Sequence, residues 1–557
     1  MVSSILHAQQ LVKGLKAFKL CHVVISPGSR NAPLTLSFAH DPYFKCYSIV
    51  DERCAAHVAL GMAQQLREPV ALVCTSGSAV LNYYPAIAEA FYSQIPLLIL
   101  SADRPPYKID IADGQTIRQD HVFKNHILKD GRIKIVNYHY QNEEISHNQT
   151  LINESLNTAF SNQGPVHLNV PFEEPLYNLD PESSIDFVDK RIEKKASEFV
   201  DLNLINKDWN TAQKKIVLIS TLDPGVIDQS HIDQLLKDPS VLVMTEVSSN
   251  VVHDRVVWAI DSLIAPIENN QKLLEQWQPD IVVTIGGMIV SKKIKQQLRS
   301  TEKLKHYHVG LNRSNNTFFS LEAHVEIEPT SWIDQLTTEY EKSTYQQFWV
   351  DRFEERMAKK QDYLKQVGWS DFKVFGHLFS KLPDLVMLQL GNSSTVRYAQ
   401  LFKMNPTHEI FSNRGTSGID GSTSTAIGAA MVSELPTVFI TGDVSFFYDS
   451  NALWNNYIPT NFKIILINNS GGGIFRILPG HENNDIFDTY FETHHQLTAE
   501  HLCKMFHFGY REVRDESAFA KAMPEFLNSN DQPQLLEVHT AGTTNEKILL
   551  DYFKFLR

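Results

Sequence analysis

Short runs of consecutive apolar residues recur along the chain, and longer stretches with helical spacing separate them. Runs of this kind are typical of strands that are buried on both faces of a parallel sheet. The first five are Val23–Ser26, Tyr47–Val50, Val70–Cys74, Leu97–Ala102 and Val166–Val170. The later ones are Ile216–Ser220, Val241–Thr245, Ile281–Ile285, Leu385–Leu390, Val438–Thr441, Ile464–Ile467 and Leu535–Val538. The alternation of strand and helix predicts an α/β protein built on doubly wound parallel sheets.

The strand runs fall into three groups, which agrees with the length of the chain. At 557 residues we expect about three domains, because domains commonly hold roughly 150–200 residues. The charged stretch Asp180–Lys195 predicts a linker, and the polar helical segment Tyr340–Lys365 predicts a second boundary. We therefore place domains at residues 1–180, 196–340 and 360–557.

Composition and charge exclude several classes of function. The chain is 43% apolar and 21% charged, and 51 basic against 64 acidic residues give a net charge of −13. With no basic stripe, nucleic acids and anionic membranes are poor partners. No apolar run reaches the roughly 18 residues of a membrane span, and we expect no signal peptide. Five cysteines without a C-x-x-C pattern indicate reduced thiols, so we expect a cytoplasmic protein.

Two strand ends in the last group carry candidate metal ligands. Gly442-Asp443 follows Val438–Thr441, Asn468–Gly473 follows Ile464–Ile467, and a helix-like stretch around Asn451–Tyr457 lies between them. In such a βαβ unit both loops emerge at the carboxyl edge of the sheet. Carboxylate, amide and backbone oxygens are the donors that Mg²⁺ prefers, together with phosphate oxygens. The pair therefore predicts a clamp for a metal ion and a diphosphate group.

Each loop alone has a simpler interpretation. Strand-Gly-Asp and strand-Asn-Gly sequences are ordinary turn chemistry. A nicotinamide dinucleotide site would require G-x-G-x-x-G, which the glycine run Gly471–Gly473 does not supply.

A third element, far away in the sequence, favours the clamp. Asp51-Glu52-Arg53 ends the run Tyr47–Val50 and opens an alanine-rich helix, Cys54–Gln65. The combination resembles the thiamine-diphosphate-dependent enzymes, in which an N-terminal acid activates the cofactor and a C-terminal loop pair holds its diphosphate. The resemblance implies pyrimidine-binding, middle and diphosphate-binding domains. The usual Gly-Asp-Gly reads Gly-Asp-Val here, and Val444 occupies a position that contributes its backbone.

Several longer strings narrow the resemblance. They are Ser26–Asn31 (SPGSRN), Ser101–Pro105 (SADRP), Gly114–Gln119 (GQTIRQ), Gly391–Ser393 (GNS), Ser412–Gly421 (SNRGTSGIDG) and Asn468–Phe475 (NNSGGGIF). Together these strings resemble the MenD family of the menaquinone pathway, across the first and third blocks and more thinly in the middle one. That family condenses 2-oxoglutarate with isochorismate and releases CO₂. The resemblance implies a transferase of this kind that uses thiamine diphosphate with Mg²⁺ or Mn²⁺.

The resemblance also implies roles for individual residues. Glu52 activates the cofactor, and Ile419 is the apolar wedge beneath it. The metal ligands are Asp443, Asn469 and a carbonyl near Gly471. Further cofactor contacts are Asn392, Ser393, Gly442, Val444, Ser445, Gly472, Ile474 and Phe475. The substrate contacts are Ser29, Arg30, Arg104, Gln115, Lys292, Arg397, Arg414, Phe475 and Leu478, of which Arg30, Gln115, Arg397 and Arg414 are also placed in catalysis.

The charges of the substrates agree with those assignments. Both are dianions, so a site in an acidic protein needs local cations, and arginine binds carboxylates through two parallel hydrogen bonds. Five arginines follow strand ends or open helices: Arg30, Arg104, Arg118, Arg397 and Arg414. For each one alone, a solvated or capping arginine is the simpler interpretation. Similarly, Ile474, Phe475 and Leu478 form either an apolar wall that excludes water or plain helix core.

Other functions remain as alternatives. Acetolactate synthase or a 2-oxo acid decarboxylase would share Glu52, Asp443 and Asn469 but not the arginine-rich loops. A regulatory module of the same fold would lack the acid and the metal set. The superfamily pairs the first domain of one subunit with the third domain of another, so we expect a homodimer or homotetramer with 2-oxoglutarate and isochorismate as small-molecule partners.

Overall fold

The computed structural model describes residues 1–136, 142–192, 202–311, 313–336, 342–477 and 484–557. The chain divides into two compact units. The first unit comprises Met1–Lys194, Gly415–Glu434 and Phe447–Phe462, and the second comprises Lys195–Arg414, Leu435–Phe446 and Lys463–Arg557. Each unit is built on parallel sheets, as the apolar runs predict.

The first unit contains one six-stranded parallel sheet. Its strands, in spatial order, are Lys45–Ser48, His22–Ile25, Val70–Cys74, Leu97–Asp103, Val166–Pro171 and Lys129–Arg132. Successive side chains of one strand enter two different cores: Val23 and Ile25 pack on one face, and Val24 packs on the other. Burial on both faces explains why these strands are continuously apolar. A short antiparallel pair, Val2–Ser3 with Leu179–Asp180, lies apart from this sheet.

Helices cover both faces of that sheet. The α-helices of the first unit are Leu6–Ala17, Ala32–Ala39, Glu52–Leu66, Ser78–Asn82, Tyr84–Ser93, Asn142–Asn162 and Ser422–Ala430. Its 3₁₀ turns are Pro106–Lys108, Lys124–His126 and Ser450–Leu453.

One helix pair of this unit packs unusually closely. A Cβ at Gly61 would lie 2.0 Å from the carbonyl oxygen of Thr425, and a Cβ at Gly428 would lie 2.0 Å from that of Val58. Only glycine permits the two backbones to approach this far. The helices Glu52–Leu66 and Ser422–Ala430 are therefore in backbone contact.

The second unit contains two parallel sheets. The five-stranded sheet has the order Val241–Thr245, Lys215–Ile219, Ile281–Ile285, Lys305–Val309 and Leu321–Val325. The six-stranded sheet has the order Glu409–Phe411, Met387–Leu390, Thr437–Gly442, Lys463–Asn468, Gln534–His539 and Gly509–Val513. The predicted α/β class with several parallel sheets is confirmed.

Helices connect these strands. The α-helices that lie wholly in the second unit are Asn203–Thr211, Gln229–Leu235, Ile260–Ile264, Gln271–Trp277, Lys292–Arg299, Pro329–Asp334, Tyr345–Gln366, Asp371–Leu378, Ser394–Ala399, Asp485–Phe487, Glu500–Met505, Glu516–Asn528 and Gly542–Phe555. The short helix Asp443–Tyr448 begins in this unit. The 3₁₀ turns Val247–Ser249 and Gly473–Ile477 and the π-helical turn Asp488–Glu492 complete the set. Among the described residues, no helix combines the length and apolar character needed to cross a membrane.

Two expectations from the pattern differ from the structure. The prediction of a helix around Asn451–Tyr457 is wrong, because the chain forms the short helix Asp443–Tyr448 and then a 3₁₀ turn, Ser450–Leu453. Asp449 separates them, because its carboxylate accepts hydrogen bonds from the backbone N–H and hydroxyl of Ser424. The pattern also omits five strands of the three large sheets, because polar residues break their apolar runs. Four are edge strands and one, Lys305–Val309, lies inside the five-stranded sheet; the edge strands are Lys129–Arg132, Leu321–Val325, Glu409–Phe411 and Gly509–Val513.

Candidate active site

The two predicted metal-binding loops of the second unit meet directly. Strands Thr437–Gly442 and Lys463–Asn468 are parallel neighbours, with Gly442 paired to Ile467. Asp443, only 2% exposed, accepts hydrogen bonds from the N–H groups of Val444 at 2.7 Å and Gly471 at 3.0 Å. The carboxylate and the glycine loop are thus held together at one sheet edge.

The glycine loop requires glycine at one position. Gly471 has a φ of 151°, and a Cβ there would lie 2.8 Å from the carbonyl oxygen of Glu492. That same carbonyl accepts the N–H of Gly472 at 2.6 Å. A side chain at position 471 would therefore displace the loop from its support.

A histidine that belongs to none of the predicted motifs also contacts the aspartate. His495 Nε2 lies 3.3 Å from Asp443 Oδ2, and His495 Nδ1 accepts the N–H of Leu497 at 3.1 Å. Because Nδ1 is an acceptor, the proton of the neutral ring is on Nε2, which faces the aspartate.

Asn469 is held by a second buried carboxylate. Its Nδ2 donates to Asp371 Oδ2 at 2.9 Å, and Asp371 Oδ1 accepts from the hydroxyl of Thr540 at 2.6 Å. Burial raises the pKa of Asp371 to about 6, while the hydrogen bonds from Thr540 and Asn469 oppose that rise. With Nδ2 engaged, Asn469 keeps its Oδ1 as the acceptor at the strand end.

The GNS and SNRG strings come together in the second unit. Arg414 donates to Asn392 Oδ1 at 2.8 Å, and Asn392 Nδ2 donates to the carbonyl of Asn413 at 2.8 Å. Arg397 donates to the carbonyl of Ser393 at 2.8 Å, and Ser393 has a φ of 66°. Burial lowers the pKa of Arg397, and nearby Asp261 partly restores it. One buried arginine, Arg414, and one half-buried arginine, Arg397, thus hydrogen-bond the predicted cofactor contacts Asn392 and Ser393.

Acidic groups missed by the sequence pattern lie near those arginines. Glu246 is buried and accepts N–H bonds from Val290 and Ser291. Burial raises its pKa to about 7, and the charge of Arg414 opposes that rise. Burial also lowers the pKa of Lys295, with Glu246 acting in the opposite direction. Glu246 follows a strand and could have been selected on that ground, but isolated acids at strand ends are common.

The lysines at the start of Lys292–Arg299 are distinguished by their contacts. Lys293 forms an ion pair with Glu268 at 2.7 Å, whereas Lys292 is exposed. Lys292 is therefore the more exposed of the two, and its contact with substrate stays a prediction.

Two of the three residues predicted to form the apolar wall, Ile474 and Phe475, are among the described residues. Ile474 and Phe475 lie in the 3₁₀ turn Gly473–Ile477, and Phe475 is 37% exposed. Plain helix core is therefore the wrong interpretation for Phe475. Leu478 lies outside the described residues. Ser445 lies in the helix that Asp443 begins.

In the first unit, Glu52 opens the helix Glu52–Leu66 as predicted. Asp51 caps this helix, accepting the N–H groups of Arg53 at 3.0 Å and Cys54 at 3.2 Å. Glu52 itself is partly exposed, and Oε2 accepts a hydrogen bond from Asn82 Nδ2 at 3.2 Å.

The substrate arginines predicted for the first unit are near one another. Arg104 donates to the hydroxyl of Ser76 and to the carbonyl of Gln115. Burial lowers the pKa of Arg104, and the like charge of Arg30 lowers it further. Arg30 is buried and pairs with Glu174 at 3.1 Å. Ser29, the sequence neighbour of Arg30, and Gln115, whose carbonyl accepts from Arg104, are both exposed.

Arg118 does not share this environment. It forms an ion pair with Asp110 at 2.8 Å, and both side chains are largely exposed. The simpler interpretation, a solvated arginine, applies to it.

The segment that carries Ile419 is anchored by a buried glutamate. Glu89 Oε1 accepts the N–H of Gly415 at 2.7 Å, and Oε2 accepts the N–H and the hydroxyl of Thr416, both at 2.7 Å. Ile419, three residues on, is 36% exposed. An exposed isoleucine on an anchored loop is consistent with an apolar wedge.

Comparison with known proteins identifies the family. Residues 7–130 match the model "Thiamine pyrophosphate enzyme, N-terminal TPP binding domain", and residues 391–538 match the corresponding C-terminal TPP binding domain. Relatives named 2-succinyl-5-enolpyruvyl-6-hydroxy-3-cyclohexene-1-carboxylate synthase include one from Flavobacterium psychrophilum, 51% identical over 99% of this chain and 98% of its own. Those from Flavobacterium johnsoniae and Bacteroides fragilis are 49% and 34% identical, over 99% and 98% of this chain and 98% of their own lengths. The chain belongs to this synthase family, MenD.

The residues of this MenD family member suit the cofactor that its two matched domains bind. Among the described residues, no group of three or more His, Cys, Asp or Glu side chains could hold a metal ion. The donor set at the strand ends is instead one buried carboxylate, Asp443, with the amide oxygen of Asn469 and the backbone of the Gly471 loop. Such hard oxygen donors leave positions for phosphate oxygens, as Mg²⁺ sites for diphosphates do.

Proposed function

We propose that this protein is a thiamine-diphosphate-dependent carboligase. It joins 2-oxoglutarate to isochorismate with release of CO₂ and gives 2-succinyl-5-enolpyruvyl-6-hydroxy-3-cyclohexene-1-carboxylate for menaquinone synthesis. The observation that carries the proposal is the match of 99% of this chain to relatives with that product in their name. The arginines and the two-loop clamp described above support it.

The diphosphate end of the cofactor belongs to the second unit. Asp443, Asn469 and the Gly471 backbone would hold Mg²⁺ or Mn²⁺, and Gly442, Val444, Ser445 and Gly472 lie beside them in sequence. When bound, thiamine diphosphate supplies the nucleophilic carbon and the electron sink of the reaction. The loops supply a negative charge where the cation binds and N–H groups near the phosphates.

The pyrimidine end belongs to the first unit. The Glu52 carboxyl group would hydrogen-bond the N1′ nitrogen of the aminopyrimidine ring and favour its imino tautomer, and Asn82 orients this side chain by donating to Oε2. Ile419 would hold the cofactor in its bent shape from below. The Glu89 anchor fixes the loop on which Ile419 stands, which keeps the wedge in place during turnover.

The substrate carboxylates require the cations. We assign Arg30 and Arg104, with Ser29 and Gln115, to one part of the substrate pocket, and Lys292, Arg397 and Arg414 to another. The arginines in these sets are buried or partly buried, so their hydrogen bonds to carboxylates would be less screened by solvent than those of exposed arginines. Ile474 and Phe475 would keep water away from the reacting carbon.

We also infer a cytoplasmic homodimer or homotetramer. All five cysteines are free thiols, which agrees with a reducing compartment. The family resemblance pairs Glu52 of one chain with Asp443 of another on a single cofactor.

The test is a substrate comparison with purified enzyme, thiamine diphosphate and Mg²⁺. 2-Oxoglutarate or pyruvate is supplied with and without isochorismate, and CO₂ and the ligated product are followed. We expect ligated product only with 2-oxoglutarate and isochorismate together. Equal turnover of pyruvate, or ligation that is indifferent to isochorismate, would favour an acetolactate-type enzyme instead.

A further inference from the structure

Asp371 is a buried carboxylate that belongs to none of the predicted motifs. It accepts a hydrogen bond from the side-chain amide of Asn469, a predicted metal ligand. We propose that Asp371 is a positioning residue: it fixes the side-chain amide of Asn469 so that Oδ1, and not Nδ2, faces the metal ion. The inference rests on the proposed metal clamp of Asp443 and Asn469.

The orientation of the amide follows from a chain of hydrogen bonds with a fixed starting point. The backbone N–H of Asp371 can only donate, and it donates to Asn545 Oδ1 at 2.9 Å. Asn545 Nδ2 therefore donates to the hydroxyl oxygen of Thr540, at 3.3 Å. With that oxygen accepting, the Thr540 hydroxyl donates its own proton to Asp371 Oδ1, at 2.6 Å.

The last link of the chain is the metal ligand. Asp371 Oδ2 lies 2.9 Å from Asn469 Nδ2, and an ionised carboxylate has only acceptors to offer. Asn469 must therefore turn its NH₂ group toward Asp371. Because the two ends of an amide point in opposite directions, its oxygen is turned away from Asp371.

Orientation matters here because the two ends of the amide are nearly equal in shape. An amide oxygen binds Mg²⁺, whereas an NH₂ group presents hydrogens to the cation and cannot. Asp371 is 2% exposed and Asn469 is 9% exposed, so water has little access to satisfy a flipped amide. Groups that orient a metal ligand in this way commonly change metal affinity by about 10–100-fold when they are altered.

The first test replaces Asp371 with a side chain of the same shape. In Asp371→Asn, the oxygen that accepts from Thr540 is kept, so the new NH₂ group faces Asn469 and forces its amide to turn. We expect the dissociation constant for Mn²⁺, measured by the EPR signal of free Mn²⁺ with the full chain and excess thiamine diphosphate, to rise about 10–100-fold.

A matched control separates positioning from loss of a buried charge. Asp238→Asn changes another buried carboxylate of the second unit, which accepts from Lys215 and Ser240. It should leave the Mn²⁺ constant unchanged whatever it does to thermal stability. Unaltered Mn²⁺ affinity in Asp371→Asn, with a folded protein by circular dichroism, would overturn the inference.

A second variant keeps the inference testable if Asp371→Asn does not fold. A carboxylate is ordinarily a better Mg²⁺ ligand than an amide, so Asn469→Asp alone should bind Mn²⁺ more tightly if Asp371 has no role. With Asp371 as positioned here, two carboxylates would face each other at hydrogen-bond distance, and we expect affinity to fall. Tighter binding in this variant would contradict the inference.

The double variant provides the rescue. In Asp371→Asn with Asn469→Asp, donor and acceptor exchange places, and one aspartate oxygen remains for the metal, so affinity should return toward the wild-type value. Asp443→Ala distinguishes a failure of the proposed Asp371 role from a failure of the metal clamp itself. If Asp443→Ala abolishes Mn²⁺ binding while Asp371→Asn leaves it intact, only the role of Asp371 is wrong; if Asp443→Ala also binds Mn²⁺ normally, the clamp itself is wrong.

Discussion

The two carboxylates that the family resemblance places at the ends of one cofactor have very different surroundings. Asp443 in the second unit is 2% exposed and contacts Val444, Gly471 and His495. Glu52 in the first unit is partly exposed, and one side-chain hydrogen bond, from Asn82, reaches it within the described residues of that unit. The predicted metal ligand Asp443 is therefore held by several contacts within one unit, whereas the predicted activating acid Glu52 is held by fewer contacts.

The difference follows from what each group must do. A metal ligand needs a fixed geometry, which buried hydrogen bonds provide before the ion arrives. An acid that meets a heterocycle needs an open face, because the cofactor itself must supply the partner. Changes at Asp443 should therefore act on binding, and changes at Glu52 on chemistry.

The largest effect, loss of cofactor binding, is expected from replacing Asp443. Asp443→Ala removes the only charged donor assigned to the clamp, so the protein should retain no thiamine diphosphate after gel filtration at ordinary Mg²⁺ concentrations. Cofactor content by absorbance and metal content by atomic absorption measure this. Asp238→Ala is the control for loss of a buried aspartate, and tight cofactor binding by Asp443→Ala would contradict the clamp.

Replacing Glu52 should instead slow cofactor activation and leave cofactor binding intact. Glu52→Gln keeps the shape but removes the charge, so we expect C2 proton exchange of the bound cofactor to slow by about 10²–10⁴-fold while binding survives. NMR after rapid quenching measures the exchange rate. Glu68→Gln, a partly buried acid just after the same helix, should exchange normally. Unchanged exchange in Glu52→Gln would reject its role.

Changes at Arg414 and Arg397, which hydrogen-bond Asn392 and Ser393, should affect substrate turnover more than cofactor binding. Losing one partner of a shielded charged contact costs roughly 2–5 kcal/mol, so Arg414→Ala or Arg397→Ala should lower kcat/KM by about 30- to several-thousand-fold. Arg397 also bonds the Ser393 carbonyl, so that variant should weaken cofactor binding modestly. Arg118→Ala, the exposed arginine, is the control. An equal loss in Arg118→Ala would argue against specific carboxylate contacts.

The smallest expected effect is a partial recovery of activity in hybrid dimers, which tests whether Glu52 and Asp443 of one active site come from different chains. Mixing Glu52→Gln with Asp443→Ala subunits would restore one intact site in each hybrid dimer, or about a quarter of wild-type activity after random exchange. Mixing Glu52→Gln with the double variant provides the control, since no combination there is intact. No recovery despite verified subunit exchange would place both ends in one chain.

Much of this arrangement could be predicted from local sequence. The strand before Asp443 and the strand before Asn469 are apolar runs, and each ends in a residue type that suits a metal ion. The parallel pairing of these strands then brings the loops together, because the carboxyl ends of parallel neighbouring strands lie at the same edge of the sheet. The edge strands, such as Gly509–Val513, were not predictable in this way, since polar residues interrupt their pattern.

The sequence by itself determined the α/β class, the positions of Glu52, Asp443 and Asn469 at element ends, and the family. Strand periodicity and short motifs are local properties, so they are visible without coordinates. Only the tertiary structure decided which groups support these residues. Asp371 precedes Asn469 by 98 positions, and Glu89 anchors Gly415 across 326. No local pattern specifies such partners, because burial and strand order, set by the whole fold, choose which distant side chains meet.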